Sequence, residues 1–229
     1  SEDRGAGANG KQKRTKGKQR AVNPNVARQG INTAGKNDGK KGGNGDAGDV
    51  SVRDSQVCEA PAHRCIELLE SFRFRGHLCL SFPVYGSNLY EYLSGRNFAG
   101  LPIAHVSAIG SQVLSALTFV HKHGIIHCDV KPENILLCQP LSGNDDTPQV
   151  VLADFGSACF ADRTTYTYIQ SRFYRAPEVL LGLKYTTACD IWGLAAMLPE
   201  LYSGHPVFPG EDSYDQLYCQ AELLGHPPS

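Results

Sequence analysis

Three side chains with complementary chemistry lie close together in the segment at residues 127–134. They are the carboxylate of Asp129, the ammonium group of Lys131 and the carboxamide of Asn134. Twenty residues after Asn134, a second carboxylate opens the tripeptide Asp154-Phe155-Gly156. Phosphoryl transfer needs a carboxylate to orient a hydroxyl, a cation to neutralise the moving phosphoryl oxygens, and oxygen ligands for a divalent metal ion. The order of these four residues therefore predicts phosphoryl-transfer chemistry.

Each of the four residues has an expected role. Asp129 is the expected base and orienting group for the acceptor hydroxyl, and Lys131 would neutralise the γ-phosphate of ATP. Asn134 and Asp154 offer oxygen atoms to Mg²⁺, which prefers oxygen ligands. Taken singly, Lys131 or Asn134 would be a solvated loop residue, and an isolated Asp-Phe-Gly is usually a turn after a strand. Only the shared order and spacing favour the catalytic interpretation.

The flanking sequence predicts the elements that must position these residues. Two strands, residues 65–74 and 77–82, are joined by the tight turn Arg75-Gly76. A short helix capped by Ser87-Asn88 precedes a long amphipathic helix that ends near Gly124. Short apolar strands at residues 135–137 and 150–152 bracket a polar loop, so that Asp154 follows a strand. Apolar helices are expected at residues 188–202 and from residue 214 onward.

Composition changes abruptly near residue 57. Residues 1–56 contain no aromatic residue, and they hold 12 of the 22 Lys and Arg but only 6 of the 23 Asp and Glu. Such a segment cannot bury enough apolar surface to offset its ordering entropy, so we expect a disordered basic tail. The cluster at residues 11–20 resembles a nuclear-import or polyanion-contacting segment, and a plain solvated tail is an equal alternative. Sequence-specific nucleic-acid binding is not expected, because no aromatic residues lie between the cations.

The remaining composition predicts an intracellular protein, in the cytoplasm, the nucleus or both. We expect no apolar run close to the roughly 20 residues that span a bilayer, and no secretory signal. The eight cysteines are dispersed without a Cys-x-x-Cys pair, which fits neither a zinc site nor a disulfide framework. No membrane partner is expected, and the chain is expected to be a monomer.

The segment at residues 166–178, Tyr-Thr-Tyr-Ile-Gln-Ser-Arg-Phe-Tyr-Arg-Ala-Pro-Glu, gives a closer comparison. It resembles the activation segment of the dual-specificity tyrosine-phosphorylation-regulated kinases (DYRK), and Cys128 in His-Cys-Asp is also typical of them. The resemblance implies an α+β protein-kinase fold. It divides residues 57–229 into the end of a small lobe (57–82), a hinge (83–86) and a mainly helical large lobe (87–229). Implied partners are ATP, Mg²⁺ and protein substrates phosphorylated on Ser or Thr.

The same resemblance assigns further site residues. Phe82 would be the gatekeeper at the back of the nucleotide pocket, the backbone of Val84 would bind adenine, and Leu136 would form the floor of the pocket. Tyr168 would be the tyrosine that such kinases phosphorylate on themselves. Two arginines follow it by four and seven residues, Arg172 and Arg175, and guanidinium groups form charge-assisted bonds with phosphate.

Several parts of the kinase pattern are not expected in these 229 residues. The Gly-x-Gly-x-x-Gly spacing at residues 5–10 and the Ala-x-Lys spacing at residues 34–36 lie in the basic tail without flanking strand patterns, so we expect neither the glycine-rich loop nor the lysine strand upstream of Cys65. Pro199 lies inside a predicted buried helix, where proline costs about 3 kcal/mol or more, and Gly193 replaces the usual serine. The first interpretation is a truncated Ser/Thr-directed kinase of this family with tyrosine autophosphorylation. The alternative is a catalytically inactive, kinase-like binding module.

Overall fold

A computed structural model describes residues 60–141 and 147–225. Its first elements are the antiparallel strands β1 (Glu70–Phe74) and β2 (His77–Ser81). Arg75 and Gly76 have φ values of 48° and 82°, as a two-residue type I′ turn requires. The predicted hairpin is confirmed, but its first strand does not begin at Cys65. That residue forms a parallel bridge with Leu152 instead, because the hydrogen bonds of its neighbours go to Leu152. The tail predicted at residues 1–56 lies outside the described residues.

Two helices follow the hairpin. Helix α1 (Leu89–Gly95) begins with a capping box in which Asn88 and Glu91 bond each other's backbone N–H. Helix α2 (Ile103–Lys122) is, among the described helices, the one long and apolar enough to cross a membrane. This corrects the expectation that no segment approaches that length. Eight of its residues are buried, so packing in the protein core accounts for its apolar character.

Short strand pairs surround the predicted catalytic segment. Strand β3 (Ile125–Ile126) follows α2. The two predicted strands β4 (Ile135–Leu137) and β5 (Val150–Leu152) are present and pair with each other. Strand β6 (Cys159–Phe160) returns to pair with β3. The segment carrying Asp129, Lys131 and Asn134 therefore lies between β3 and β4, and its two ends are held by separate antiparallel pairs.

Three helices complete the described part of the chain: α3 (Pro177–Leu180), α4 (Ala188–Ser203) and α5 (Ser213–Leu224). Helix α4 continues through Pro199 without a break. Pro199 and Ala195, whose carbonyl loses its helical partner, are both exposed, so water can bond that carbonyl. This position on the outer face explains why the proline is tolerated.

The core is formed mainly by α2, α4 and the β4–β5 hairpin. Among its fully buried residues are Ile109, Leu117, Met197 and Leu201. Helix α4 also comes close to the catalytic segment at Gly193, where an added Cβ would lie 3.1 Å from the carbonyl oxygen of Val130. The absence of a side chain at Gly193 therefore permits this approach.

Candidate active site

The β4–β5 hairpin brings two of the predicted metal ligands to one end of the same ladder. Ile135 pairs with Leu152, and the N–H of Ala153 donates to the carbonyl oxygen of Asn134 at 2.9 Å. Asn134 directly precedes β4, and Asp154 lies two residues after the end of β5. Backbone pairing therefore places residues that are twenty positions apart in sequence at adjacent positions of the site.

The carboxylate of Asp129 accepts hydrogen bonds from three side chains. Its Oδ2 accepts from Lys131 Nζ at 2.7 Å and from Asn134 Nδ2 at 3.1 Å. Its Oδ1 accepts from Ser171, from Oγ at 2.9 Å and from the backbone N–H at 3.2 Å. Lys131 Nζ also donates to Ser171 Oγ at 2.9 Å. These bonds fix the orientation of the carboxylate and leave Lys131 one N–H for a further acceptor.

These contacts also set the charge of Asp129. Burial by itself would raise its pKa, but hydrogen bonds from Lys131, Ser171 and Asn134 together with the charge of Lys131 outweigh burial, and the pKa is lowered. Asp129 is therefore an ionised carboxylate at neutral pH. A carboxylate in this state orients a hydroxyl group and can accept its proton once phosphate transfer makes that proton acidic.

The residue before Asp129 has an unusual backbone conformation that a buried carboxylate maintains. Cys128 has a φ of +67°, and its N–H donates to Asp190 Oδ1 at 2.8 Å. Asp190 is fully buried, and its Oδ2 accepts from the His127 N–H and contacts His121 Nε2, both at 2.8 Å. On the other side, the N–H of Gln170 donates to the carbonyl oxygen of Cys128 at 3.0 Å. Helix α4 thus sets the direction in which Asp129 points.

His127 links the catalytic segment to the Asp-Phe-Gly segment. Its Nε2 lies 3.0 Å from the carbonyl oxygen of Ala153, and its ring meets Phe155 edge-on with 4.9 Å between centroids. Burial lowers the pKa of His127 despite the nearby carboxylates. A neutral imidazole with one N–H donor fits this contact. His127 is therefore a structural connection and not a proton donor to substrate.

The oxygen donors of Asn134 and Asp154 fit the two-ligand protein contribution that Mg²⁺ commonly takes beside phosphates. The Asn134 Nδ2 group donates to the backbone and side chain of Asp129, which leaves its Oδ1 directed elsewhere. Asp154 is exposed, has a φ of +60°, and accepts the N–H of Gly156 through Oδ1 at 3.1 Å. In residues 60–141 and 147–225 no group of three or more His, Cys, Asp or Glu side chains forms a metal cluster. A metal ion here would therefore need further ligands from a bound phosphate and water.

Comparison with known proteins gives the same assignment as this geometry. The protein kinase domain model matches residues 3–225. The chain belongs to the protein kinase family. Within this kinase family it is 49% identical over 163 residues to human dual specificity tyrosine-phosphorylation-regulated kinase 3, and 47% identical over 167 residues to the Drosophila melanogaster kinase 2 of that name. The DYRK-family kinase pom1 of Schizosaccharomyces pombe is 46% identical over 162 residues. The DYRK resemblance and the α+β kinase fold are thus confirmed.

These alignments cover most of the kinase chain and little of its relatives. They include 71% of the chain and 27% of the human protein, 73% and 22% for the Drosophila protein, and 71% and 14% for pom1. The chain therefore spans well under a third of the length of these curated relatives. What the relatives do as whole proteins does not transfer directly to these 229 residues.

The residues predicted to contact the nucleotide base lie beside strand β4. The Gly86 N–H donates to the carbonyl oxygen of Leu137 at 2.7 Å, and Asn88 forms an antiparallel bridge with Leu136. The predicted hinge is thus attached beside Leu136, the expected floor residue. Phe82 is 38% exposed and Val84 is 89% exposed. The Val84 side chain is thus mostly in solvent, so the predicted contact of Val84 with adenine would be made by its backbone groups.

The activation segment brings only one of the two predicted arginines to Tyr168. The Arg175 guanidinium carbon lies 4.0 Å from the centroid of the Tyr168 ring, and its nitrogens donate to the carbonyls of Ile169 and Gln170 at 2.9 and 2.8 Å. Arg172 instead donates to the carbonyl of Gly210 at 3.4 Å and to that of Glu211. With Tyr168 unmodified, its 71% exposed side chain therefore contacts Arg175 and not Arg172.

A cavity of about 430 Å³ lies beside the Asp129 carboxylate. It is lined by Asp129, Gly156, Ser157, Tyr166, Tyr168, Ile169, Gln170 and Ser171. The Asp129 carboxylate and residues of the activation segment thus line one opening. An acceptor hydroxyl reaching Asp129 would pass the side chains of the activation segment, and we call this opening the acceptor cleft.

Sequence reasoning missed two residues that organise this site. Ser171 bonds both Asp129 and Lys131, although it lies 40 or more positions away from them. Asp190 is not among the predicted site residues, yet it holds the backbone of His127 and Cys128. The available signal was that Ser171 lies five residues before Ala176-Pro177-Glu178 within an otherwise recognisable activation segment. Its contact with Asp129 is visible only in three dimensions.

Proposed function

We propose that this kinase chain transfers the γ-phosphate of ATP to Ser or Thr hydroxyls of protein substrates, and that it phosphorylates Tyr168 on itself. The observation that supports this most directly is the Asp129 carboxylate, oriented by Lys131, Ser171 and Asn134 at the edge of the acceptor cleft. An aspartate that only stabilised the fold would have no reason to lie at an opening that admits a hydroxyl group. An intracellular location and a monomeric state belong to the same proposal.

In the proposed reaction the acceptor hydroxyl donates to Asp129, which aims the oxygen at the γ-phosphorus atom of ATP. As the new O–P bond forms, the bond from that phosphorus to the bridging oxygen breaks, ADP leaves, and Asp129 receives the proton. Lys131 already donates to Asp129 and Ser171, so its remaining N–H is available to a phosphoryl oxygen. Asn134 and Asp154 would hold Mg²⁺, which neutralises charge on the ATP phosphates. Phe82, Val84 and Leu136 would contact the adenine.

The proposal is tested by radiolabel transfer from ATP to a generic basic protein, using the 229-residue chain. We expect slow transfer that Asp129→Asn abolishes, because residues 60–82, the described part of the small lobe, contain neither a glycine-rich loop nor a lysine to hold the triphosphate. Asp162→Ala is the matched control, since Asp162 is an exposed carboxylate of the same region. Transfer that persists in Asp129→Asn would refute the assignment of this residue. A complete absence of Asp129-dependent transfer would favour the noncatalytic binding module.

A further inference from the structure

A buried tyrosine hydroxyl outside the site holds the backbone of the activation segment. Tyr185 lies between α3 and α4, and its O–H donates to the carbonyl oxygen of Tyr166 at 2.8 Å. Its oxygen also lies 3.8 Å from the Cys159 sulfur. The side chain is 5% exposed, although its hydrogen-bond acceptor belongs to a loop residue whose own ring is exposed. A buried hydroxyl thus contacts a surface loop.

This hydrogen bond is unusual for the segment that it reaches. Among the hydrogen bonds of the described residues, it is the one that connects residues 164–168 with another part of the chain. The next connections come later, where the Ile169 side chain packs in a buried cluster and the Gln170 N–H donates to the Cys128 carbonyl at 3.0 Å. Besides the Tyr185 hydroxyl, the Tyr168 ring contacts the Arg175 guanidinium group.

Packing in a buried cluster fixes the position of the Tyr185 ring. Its ring packs in the buried cluster that contains Ile126, Cys128, Ile169 and Val179, so the hydroxyl is presented by rigid neighbours. Burial, followed by the nearby Cys159, raises the pKa of Tyr185 well above its ordinary value. The phenol therefore keeps its proton at neutral pH and remains a hydrogen-bond donor.

We propose that Tyr185 is a positioning residue that fixes the carbonyl of Tyr166 and thereby sets the activation-segment wall of the acceptor cleft. Tyr166, Tyr168 and Ile169 all line that cleft, and the bond to Tyr185 anchors the first of them. The consequence for acceptor binding rests on the proposed function. The anchoring itself does not.

Limited trypsin digestion of the 229-residue chain tests the anchoring. Trypsin cleaves a bond only when several residues on both sides of it leave their folded conformation. The Arg163–Thr164 bond lies directly before the anchored residues. Tyr185→Phe removes the hydroxyl and keeps the ring. We expect cleavage at Arg163, measured relative to cleavage after Lys122 in α2, to rise roughly 2- to 10-fold, as the loss of one hydrogen bond predicts. The melting temperature is followed in parallel.

Tyr174→Phe is the matched control, because Tyr174 is also buried and its hydroxyl donates to Glu200 at 2.7 Å. Loss of that bond should lower the melting temperature without changing the cleavage ratio. An unchanged ratio in Tyr185→Phe, or an equal increase in Tyr174→Phe, would overturn the proposal. In the transfer assay, Tyr185→Phe should raise KM for the acceptor and leave KM for ATP unchanged. A wild-type chain without Asp129-dependent transfer would instead count against the proposed function, and the cleavage ratio would still decide the anchoring.

Discussion

The N–H of Cys128 donates to Oδ1 of Asp190 at 2.8 Å, and this bond holds Cys128 in the left-handed backbone region. A non-glycine residue in that region costs on the order of 1 to 3 kcal/mol and persists only where its surroundings impose it. Here the surroundings are a fully buried carboxylate and the Gln170 N–H. Because Asp129 is the next residue, the strained backbone determines where its carboxylate points.

Asp190→Ala should destabilise the protein strongly. The substitution leaves the buried N–H groups of His127 and Cys128 without acceptors, and each unpaired group costs about 1 to 3 kcal/mol. Urea unfolding should show a free energy of unfolding lower by roughly 2 to 5 kcal/mol. Asp162→Ala, at an exposed aspartate, should change it by less than about 0.5 kcal/mol. Similar effects of the two substitutions would show that Asp190 is not the anchor of the catalytic segment.

Asp154→Ala should weaken Mg²⁺-dependent ATP binding, whereas Asp162→Ala should leave it unchanged. Only Asp154 lies beside Asn134 at the end of the β4–β5 hairpin, where its carboxylate can ligate a metal ion bound to phosphate. ATP titration at fixed Mg²⁺, repeated without Mg²⁺, measures the difference. The metal assignment would be wrong if both variants lost the same fraction of binding, or if Asp154→Ala weakened only the metal-independent component.

The stability of the protein should fall in acid partly because of Asp129. Its folded pKa lies below the ordinary value of 3.8, since Lys131, Ser171 and Asn134 favour the carboxylate against the effect of burial. A lowered folded pKa contributes stability that is fully present above the unfolded pKa and is lost as the pH falls through the folded pKa. Unfolding measured at a series of pH values should therefore show a smaller loss below about pH 4 in Asp129→Asn than in wild type. Parallel pH profiles for the two proteins would contradict this expectation.

When the protein is expressed with Asp129 intact, Tyr168 should be the tyrosine that carries phosphate. Its ring is 71% exposed and lies over Arg175, a guanidinium group that can bond a phosphate. Mass spectrometry of wild type, Tyr168→Phe and Asp129→Asn should detect phosphate on Tyr168 in wild type alone. Phosphate on Tyr166 alone, or undiminished phosphate on Tyr168 in Asp129→Asn, would show that self-phosphorylation has been assigned wrongly. Addition of the phosphate should also draw Arg172 away from the carbonyl groups of Gly210 and Glu211.

Local features of the sequence were enough to predict most elements that carry the site. Arg75-Gly76 permits the positive φ values of a tight hairpin turn, and Asn88 caps α1 as expected, through a capping box with Glu91 that the structure adds. The order of Asp129, Lys131, Asn134 and Asp154 predicted the chemistry. The short strands between Asn134 and Asp154 allow few arrangements in which these side chains do not lie close together. The resemblance to DYRK kinases is confirmed by the identity of the chain to members of that family.

The tertiary structure alone decided the contacts that join distant segments. Ser171 contacts Asp129, 42 positions earlier in the sequence, and Asp190 contacts Cys128, 62 positions earlier. Tyr185, which follows α3 in the sequence, contacts the Tyr166 carbonyl, which precedes α3. After Ser171 the chain turns so that Arg172 contacts Glu211 and Arg175 contacts Tyr168. Their positions in the sequence predicted the same role for both arginines. Local propensity determines where helices and strands form. Which side chains then meet depends on the packing of α4 and the buried clusters against the catalytic segment, and no pattern in the sequence measures that packing.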